Sequence, residues 1–313
     1  MKAMGVRLDW RDMAVPVRTM VATVLGSPVV VAENQPGGLS PGVAARCRLA
    51  DGRRFFLKAV SAGHNPASPG LFRREAEVLK ALPGRLPVPA LVEVIDTGDW
   101  VVLVLEEIEG SPPSLPWSLG DLRTTFGLLD ELATSTTPCR IELPPIGARL
   151  GPSFRGYRRL AGGDPAIDRI DPWSLRHVDH LADLESGWDA AAKGDSLLHT
   201  DLRADNLLVR PDGSMVIVDW PHACIGAAFV DKAFLLPSVG LDHGPDPITV
   251  ERALRPFAGL DDDALGAVLV AVAGYFTFQG AQEDPEGLPT LRAFQRAQGA
   301  VARAWVAERL GLG

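Results

Sequence analysis

Between residues 29 and 105 the apolar residues form short runs separated by glycine, aspartate and proline turns, whereas beyond residue 112 they recur at helical spacing between proline-rich breaks. A chain that changes period once in this way can bury both parts only as two packed lobes, one built on a sheet and one on helices. Strand-like runs fall at 29–32, 43–49, 55–60, 91–95 and 100–105, with Asp51-Gly52 and Thr97-Gly98-Asp99 as turns. A helix is predicted ahead of them at 10–25, closed by Gly26, and another is inserted at 71–82. The expectation is an α+β chain with a small N-terminal lobe, 1–109, carrying an antiparallel sheet and a helix, and a larger, mostly helical C-terminal lobe, 110–313. One pair of strand runs interrupts the helical part, at 207–209 and 215–218 around Pro211-Asp-Gly213.

Composition narrows the function classes. Of the 313 residues 46% are hydrophobic and 22% charged, an ordinary globular balance. The net charge of −8 argues against a nucleic-acid partner, which needs clustered Lys and Arg. An acidic surface would tolerate a cationic small molecule, although solubility explains it better. Cys47, Cys139 and Cys224 are scattered and odd in number, so neither a disulfide framework nor a zinc knuckle is expected, and a reducing cytoplasm fits. Residues 1–13 contain no apolar stretch of the secretory kind. The uncharged run 264–282 is of borderline length for a membrane span and reads as a buried helix instead, so no membrane partner is expected. Oligomeric state is left open.

Polar residues at fixed spacing mark the interrupting hairpin: His199-x-Asp201, then Asn206, then Asp219 after the apolar run Met215-Val-Ile-Val218. Phosphoryl transfer needs a carboxylate to receive the proton of an attacking hydroxyl, and oxygen ligands to hold Mg²⁺ against nucleotide phosphates. Asp201 suits the first task, and Asn206 with Asp219 the second. Lys58 emerges from the apolar strand run 55–60, where its flexible ammonium can reach phosphates. At about 100° per residue, Glu75 falls on the Phe72, Leu79 and Leu82 side of its helix while Glu77 faces away, which makes Glu75 the expected partner of Lys58. The glycine-rich turn 37–42 offers amides, from Gly38 among others, and the Ser40 hydroxyl to phosphates, although Pro41 lacks an N–H.

The order of these features (glycine-rich turn, strand lysine, helix glutamate, apolar connector, HxDxxxxN and Asp-Trp) resembles the aminoglycoside phosphotransferase and choline kinase-like family, small-molecule kinases of the protein-kinase-like fold. The resemblance covers nearly the whole chain, most strongly at 198–230, less at 37–82 and least beyond 240. It implies ATP as cofactor, with GTP the alternative nucleotide, together with Mg²⁺. It also implies Asp201 as catalytic base, Arg203 beside the transferred phosphate, and the backbone of Glu106 and Ile108 as the adenine-binding connector. His199 and Asp231 are implied as braces of the catalytic loop, whereas Asp205 receives no role. Trp220-Pro221 stands where protein kinases carry Phe-Gly, and no Ala-Pro-Glu follows, which favours a small-molecule hydroxyl over a protein substrate.

The function so implied is transfer of the γ-phosphate of ATP to a hydroxyl of a small molecule, with an antibiotic of aminoglycoside, nucleoside or peptide type as the favoured acceptor. A metabolic sugar or amino-alcohol kinase of the same fold and a catalytically inactive nucleotide-binding module are the alternatives. For the acceptor, Trp173, Trp188, Tyr275 and Phe278 are aromatic candidates, with acidic residues at 261–263 and at Glu283, Asp284 and Glu286. Asp261–Asp263 read more economically as the charged first turn of a helix.

Overall fold

The computed structural model describes residues 7–35, 41–285 and 288–313. Its first lobe is a five-stranded sheet of β1 (Val29–Asn34), β2 (Val43–Leu49), β3 (Arg54–Ser61), β4 (Leu91–Asp96) and β5 (Trp100–Leu105), in the order β1-β2-β3-β5-β4. All neighbours are antiparallel. Every residue of β5 is buried because helices cover both faces of the sheet. Val102 and Val104 pack with α1 (Val15–Leu25), through Val17, Val21 and Leu25. Val101, Leu103 and Leu105 share the opposite core with α2 (Ser68–Ala81), through Phe72, Ala76 and Leu79. The same alternation on β3 sends Phe55, Leu57 and Ala59 toward α1 and leaves Lys58 on the α2 side, with Nζ 5.2 Å from the centre of the Phe72 ring.

Two helix starts differ from expectation. The predicted 10–25 helix is a 3₁₀ turn, Trp10–Asp12, followed by α1 from Val15. Pro16 explains the break: its ring would clash with a preceding helical turn, yet it is tolerated in the first turn of a new one. α2 begins at Ser68 rather than 71 for a related reason. Pro69 occupies its first turn, and Asn65 Oδ1 accepts from Ala67 N at 3.0 Å and Ser68 N at 3.1 Å.

The second lobe is built from α3 (Leu119–Thr136), α4 (Ile146–Leu150), α5 (Gly156–Ala161), α6 (Pro172–Ser186), α7 (Trp188–Ala191), α8 (Phe229–Leu241), α9 (Pro247–Leu254), α10 (Asp262–Gly280) and α11 (Leu291–Leu310). α10 is the only described helix long and apolar enough to cross a membrane, and it is instead the packing axis of this lobe, with Leu265 to Gly274 continuously buried. Asp261 is its N-cap, accepting from Ala264 N at 2.8 Å, with Asp262 and Asp263 in its first turn.

Two small hairpin-like ladders sit where this lobe meets the first. β6 (Ser196–Leu198) pairs with β9 (Cys224–Gly226), and β7 (Leu207–Val209) pairs with β8 (Met215–Ile217). The segment between β6 and β7 carries His199, Asp201 and Asn206, and the loop after β8 carries Asp219. Ile217 N donates to Pro87 O of the first lobe at 2.8 Å, and Ser111 pairs with Val209, so this ladder is tied to the interlobe connection.

Candidate active site

Asp201, Asn206 and Asp219 are presented by the two ladders, and Lys58 and Glu75 by the sheet and α2. Glu75 is 1% exposed, and its Oε2 lies 2.5 Å from Lys58 Nζ. The same ammonium donates to Asp219 Oδ1 at 2.7 Å, so one cation bridges carboxylates from both lobes. Burial lowers the Lys58 pKa, but Asp219 and Glu75 together outweigh it and the net shift is upward. Burial likewise pushes Asp219 up, and the neighbouring Lys58 more than reverses this, holding it at about 2. Glu75 is raised, because its burial exceeds the opposing effect of Lys58. A buried carboxylate and ammonium in contact avoid the cost that either would incur alone.

On the lower side Asp201 Oδ1 accepts from Arg203 Nη1 at 2.5 Å, and Arg203 Nε donates to Asp205 Oδ1 at 3.0 Å. Asp205, without a role on sequence grounds, thus pairs with Arg203. The two carboxylates outweigh burial and raise the Arg203 pKa, so Arg203 stays cationic. Asn206 Nδ2 donates to Asp201 O at 2.7 Å, which aims the Asn206 amide nitrogen at the loop and leaves Oδ1 as the atom that could ligate a cation. Asn206 O accepts from Val218 N at 3.0 Å, joining the loop to the strand that delivers Asp219.

The loop geometry depends on two buried residues. His199 Nδ1 accepts from Asp201 N at 3.2 Å while Nε2 lies 3.0 Å from Val218 O, so a single neutral tautomer, protonated at Nε2, braces both the Asp201 and Asp219 segments. Its ring meets Trp220 edge to face at 4.8 Å. Asp231, at the start of α8, accepts from His199 N and Thr200 N, each at 2.8 Å. Thr200 and Asp219 both have positive φ, 65° and 69°, a conformation that non-glycine residues hold only when their surroundings impose it.

Glu106 N donates to Ala90 O at 2.8 Å, so Glu106 offers a ligand its carbonyl rather than its amide. Ile108 is buried, and among the described residues its N–H has no hydrogen-bond acceptor. Gly38 and Ser40 lie outside the described residues. Gly42, at the end of the same turn, packs so tightly on β3 that a Cβ would stand 2.1 Å from Ala59 O.

Among the aromatic candidates, Trp188 and Phe278 are core residues, and Trp173 Nε1 donates to Leu312 O at 2.8 Å. Tyr275 is half-buried and stacks on Phe154 at 5.3 Å, and burial followed by the charge of Asp201 raises its pKa. Three residues near the site carried no signal in the sequence: Arg7, within the electrostatic reach of Asp219 and Asp205, and the contacting pair Arg149 and His222. None belongs to a spaced motif, and only folding brings them to the loop.

The amide oxygen Asn206 Oδ1 and the second oxygen of the Asp219 carboxylate, which is held ionised, are hard donors, a set that fits Mg²⁺, which takes few protein ligands beside water and phosphate oxygens. The two lobes, the bridging lysine and the Asp201 loop define a bilobal, kinase-like phosphotransferase. The phosphotransferase enzyme family (APH) matches residues 39–263, and the chain belongs to it. Among solved structures it is similar to aminoglycoside phosphotransferase APH(4)-Ia, at 16% identity over 95% of this chain and 98% of that one, with a TM-score of 0.60. It is also similar to macrolide 2′-phosphotransferase MphH from Brachybacterium faecium, at 17% identity, 94% and 96% coverage and a TM-score of 0.54. Choline kinase LicA from Streptococcus pneumoniae follows at 16% identity, 92% and 98% coverage and a TM-score of 0.57. At these identities the likeness concerns the fold. No curated protein matches the sequence.

Proposed function

We propose that the protein is an ATP-dependent kinase that phosphorylates a hydroxyl of a small molecule. The observation that carries this reading is the convergence of Lys58, Glu75 and Asp219 in one ion-paired cluster beside the Asp201 and Asn206 loop. Asp201 orients the acceptor hydroxyl and takes its proton as the oxygen–phosphorus bond forms and the bond to the ADP leaving oxygen breaks. Lys58 holds the nucleotide phosphates once it exchanges Asp219 for them, with Glu75 retaining its other side. Arg203, held beside Asp201, offsets charge on the transferred group. Asn206 and Asp219 would hold Mg²⁺, which supplies charge neutralisation of the phosphates when bound. The connector at Glu106 and Ile108 takes the adenine, and the turn carrying Gly38 and Ser40 covers the phosphates.

Neighbouring structures bear on the acceptor by what they contain or are called: ADP with hygromycin B, a macrolide phosphotransferase and a choline kinase. They favour an antibiotic hydroxyl as acceptor in a resistance or self-protection role, with a metabolic amino-alcohol kinase as the second reading. The test is ADP release from MgATP across a panel of antibiotics and hydroxylated metabolites. Asp201→Ala is expected to reduce turnover by about 10²–10⁴-fold while nucleotide affinity persists. Turnover equal to wild type would remove Asp201 from its role.

A further inference from the structure

Beside the catalytic loop lie cations that the phosphate-handling residues leave unused. A cavity of about 600 Å³ separates α2 from the segment leading into α4, with Arg74 and Ala81 on one wall and Pro144, Arg149 and Ala223 on the other. Arg149 is half-buried, and its Nε, shielded from solvent, has no hydrogen-bond partner among the described residues. Neither Arg149 nor Arg74 has a described carboxylate within 4.0 Å. Glu77 and Glu142 also line the cavity, but both are exposed and pair with neither arginine. A guanidinium drawn out of water without an anion is costly, and its planar fork matches the two oxygens of a carboxylate or phosphate.

The cavity communicates with the base through side chains. Arg149 Nη2 contacts His222 Nδ1. A guanidinium only donates, so Nδ1 accepts and His222 is the neutral Nε2–H tautomer, in keeping with a pKa lowered chiefly by burial. His222 O accepts from Thr200 Oγ1 at 2.9 Å, and Thr200 immediately precedes Asp201. The wall of the cavity is therefore linked to Asp201 through Arg149, His222 and Thr200 in turn.

We infer that the cavity holds an anionic group of the acceptor, a carboxylate or a phosphate, with Arg149 and Arg74 as its charge partners. This rests on the reading of Asp201 as base, and it adds the substrate class: hydroxylated anionic or zwitterionic molecules, rather than polycationic ones.

Inorganic sulfate, titrated into the full chain at constant ionic strength with chloride, tests the site independently of turnover. Wild type is expected to show a saturable rise in melting temperature that chloride does not reproduce. Arg149→Met abolishes the saturable rise, Arg149→Lys restores part of it, and Arg74→Met, at an exposed helix position, weakens it without threatening the fold. An identical sulfate response in wild type, Arg149→Met and Arg74→Met would overturn the site. In the ADP-release assay, sulfate is expected to raise KM for the acceptor with kcat unchanged, and anionic acceptors to outrank aminoglycosides. Sulfate that changes kcat without competing, or efficient phosphorylation confined to polycationic acceptors, would overturn the acceptor assignment. If no acceptor releases ADP while sulfate still binds, the kinase reading fails and the anion site stands.

Discussion

Replacing Asp231 tests how the Asp201 loop is held. Both carboxylate oxygens accept backbone N–H groups of that loop, from His199 and Thr200 at 2.8 Å each, and the carboxylate is 2% exposed. Asp231→Asn keeps one acceptor but turns an amide N–H toward the other donor. One charge-assisted bond is lost, about 1.5–3 kcal/mol, and a buried donor is left unpaired. Removing the charge returns part of this, because burial already raises the Asp231 pKa. The net expectation is a loss of about 2 kcal/mol, and for Asp231→Ala, with two donors unpaired, about 4 kcal/mol. At about 2–4 °C per kcal/mol for a large domain, the melting temperature should fall by about 4–8 °C for Asn and about twice that for Ala. Thr200, at φ 65°, relaxes when its amide is released, and Asp201 moves with it. Since a displacement of about 1 Å costs on the order of a hundredfold in rate, kcat for ADP release should drop by at least about tenfold in Asp231→Asn. Calorimetry with steady-state kinetics reads both quantities. A melting temperature within about 1 °C of wild type together with an unchanged kcat would refute the bracing argument.

Two further outcomes are expected. Asp219→Asn should lower Mg²⁺-dependent turnover by about a hundredfold, the equivalent of losing roughly 3 kcal/mol of charge stabilisation, with little effect on nucleotide affinity measured without metal; isothermal titration with and without Mg²⁺ separates the two, and equal turnover would remove Asp219 from the site. Asp96 is held at about 2, first by Arg73 and then by the Gly98 N–H, below its ordinary 3.8. Its contribution is therefore present above pH 3.8 and lost as pH falls toward 2. With 37% of its side chain exposed the pair is solvent-screened and contributes no more than about 1 kcal/mol, so Asp96→Asn should lower the melting temperature slightly at pH 6, and the difference should shrink as pH falls through about 2. A gap that persists unchanged to pH 2 would contradict the assignment.

Much of the first lobe was legible because strands covered on both faces leave a plain record: 100–105 is apolar throughout, and Gly52 and Gly98, with φ of 91° and 86°, mark its turns. Helix starts were less legible, since Pro16 and Pro69 read equally as loop residues and as first-turn residues until a cap such as Asn65 shows which. Helical phase alone set Glu75 on the inward face of α2, where its carboxylate meets Lys58. The second bond of Lys58, to Asp219, joins residues 161 positions apart, and no periodicity encodes such a contact.

The amino-acid sequence by itself determined the class of chemistry, because the candidate base, the metal-ligand candidates and the bracing histidine all fall within residues 199–219, where their spacing is local and therefore visible in the linear text. Only the tertiary structure decided what surrounds them. Arg149 comes from α4 and Arg74 from α2, and they line one cavity because elements distant in sequence pack there, while His222, from the loop after β8, contacts Arg149. A wall assembled from single residues of separate elements has no spacing of its own, so the anion site inferred there became readable only once the chain was folded.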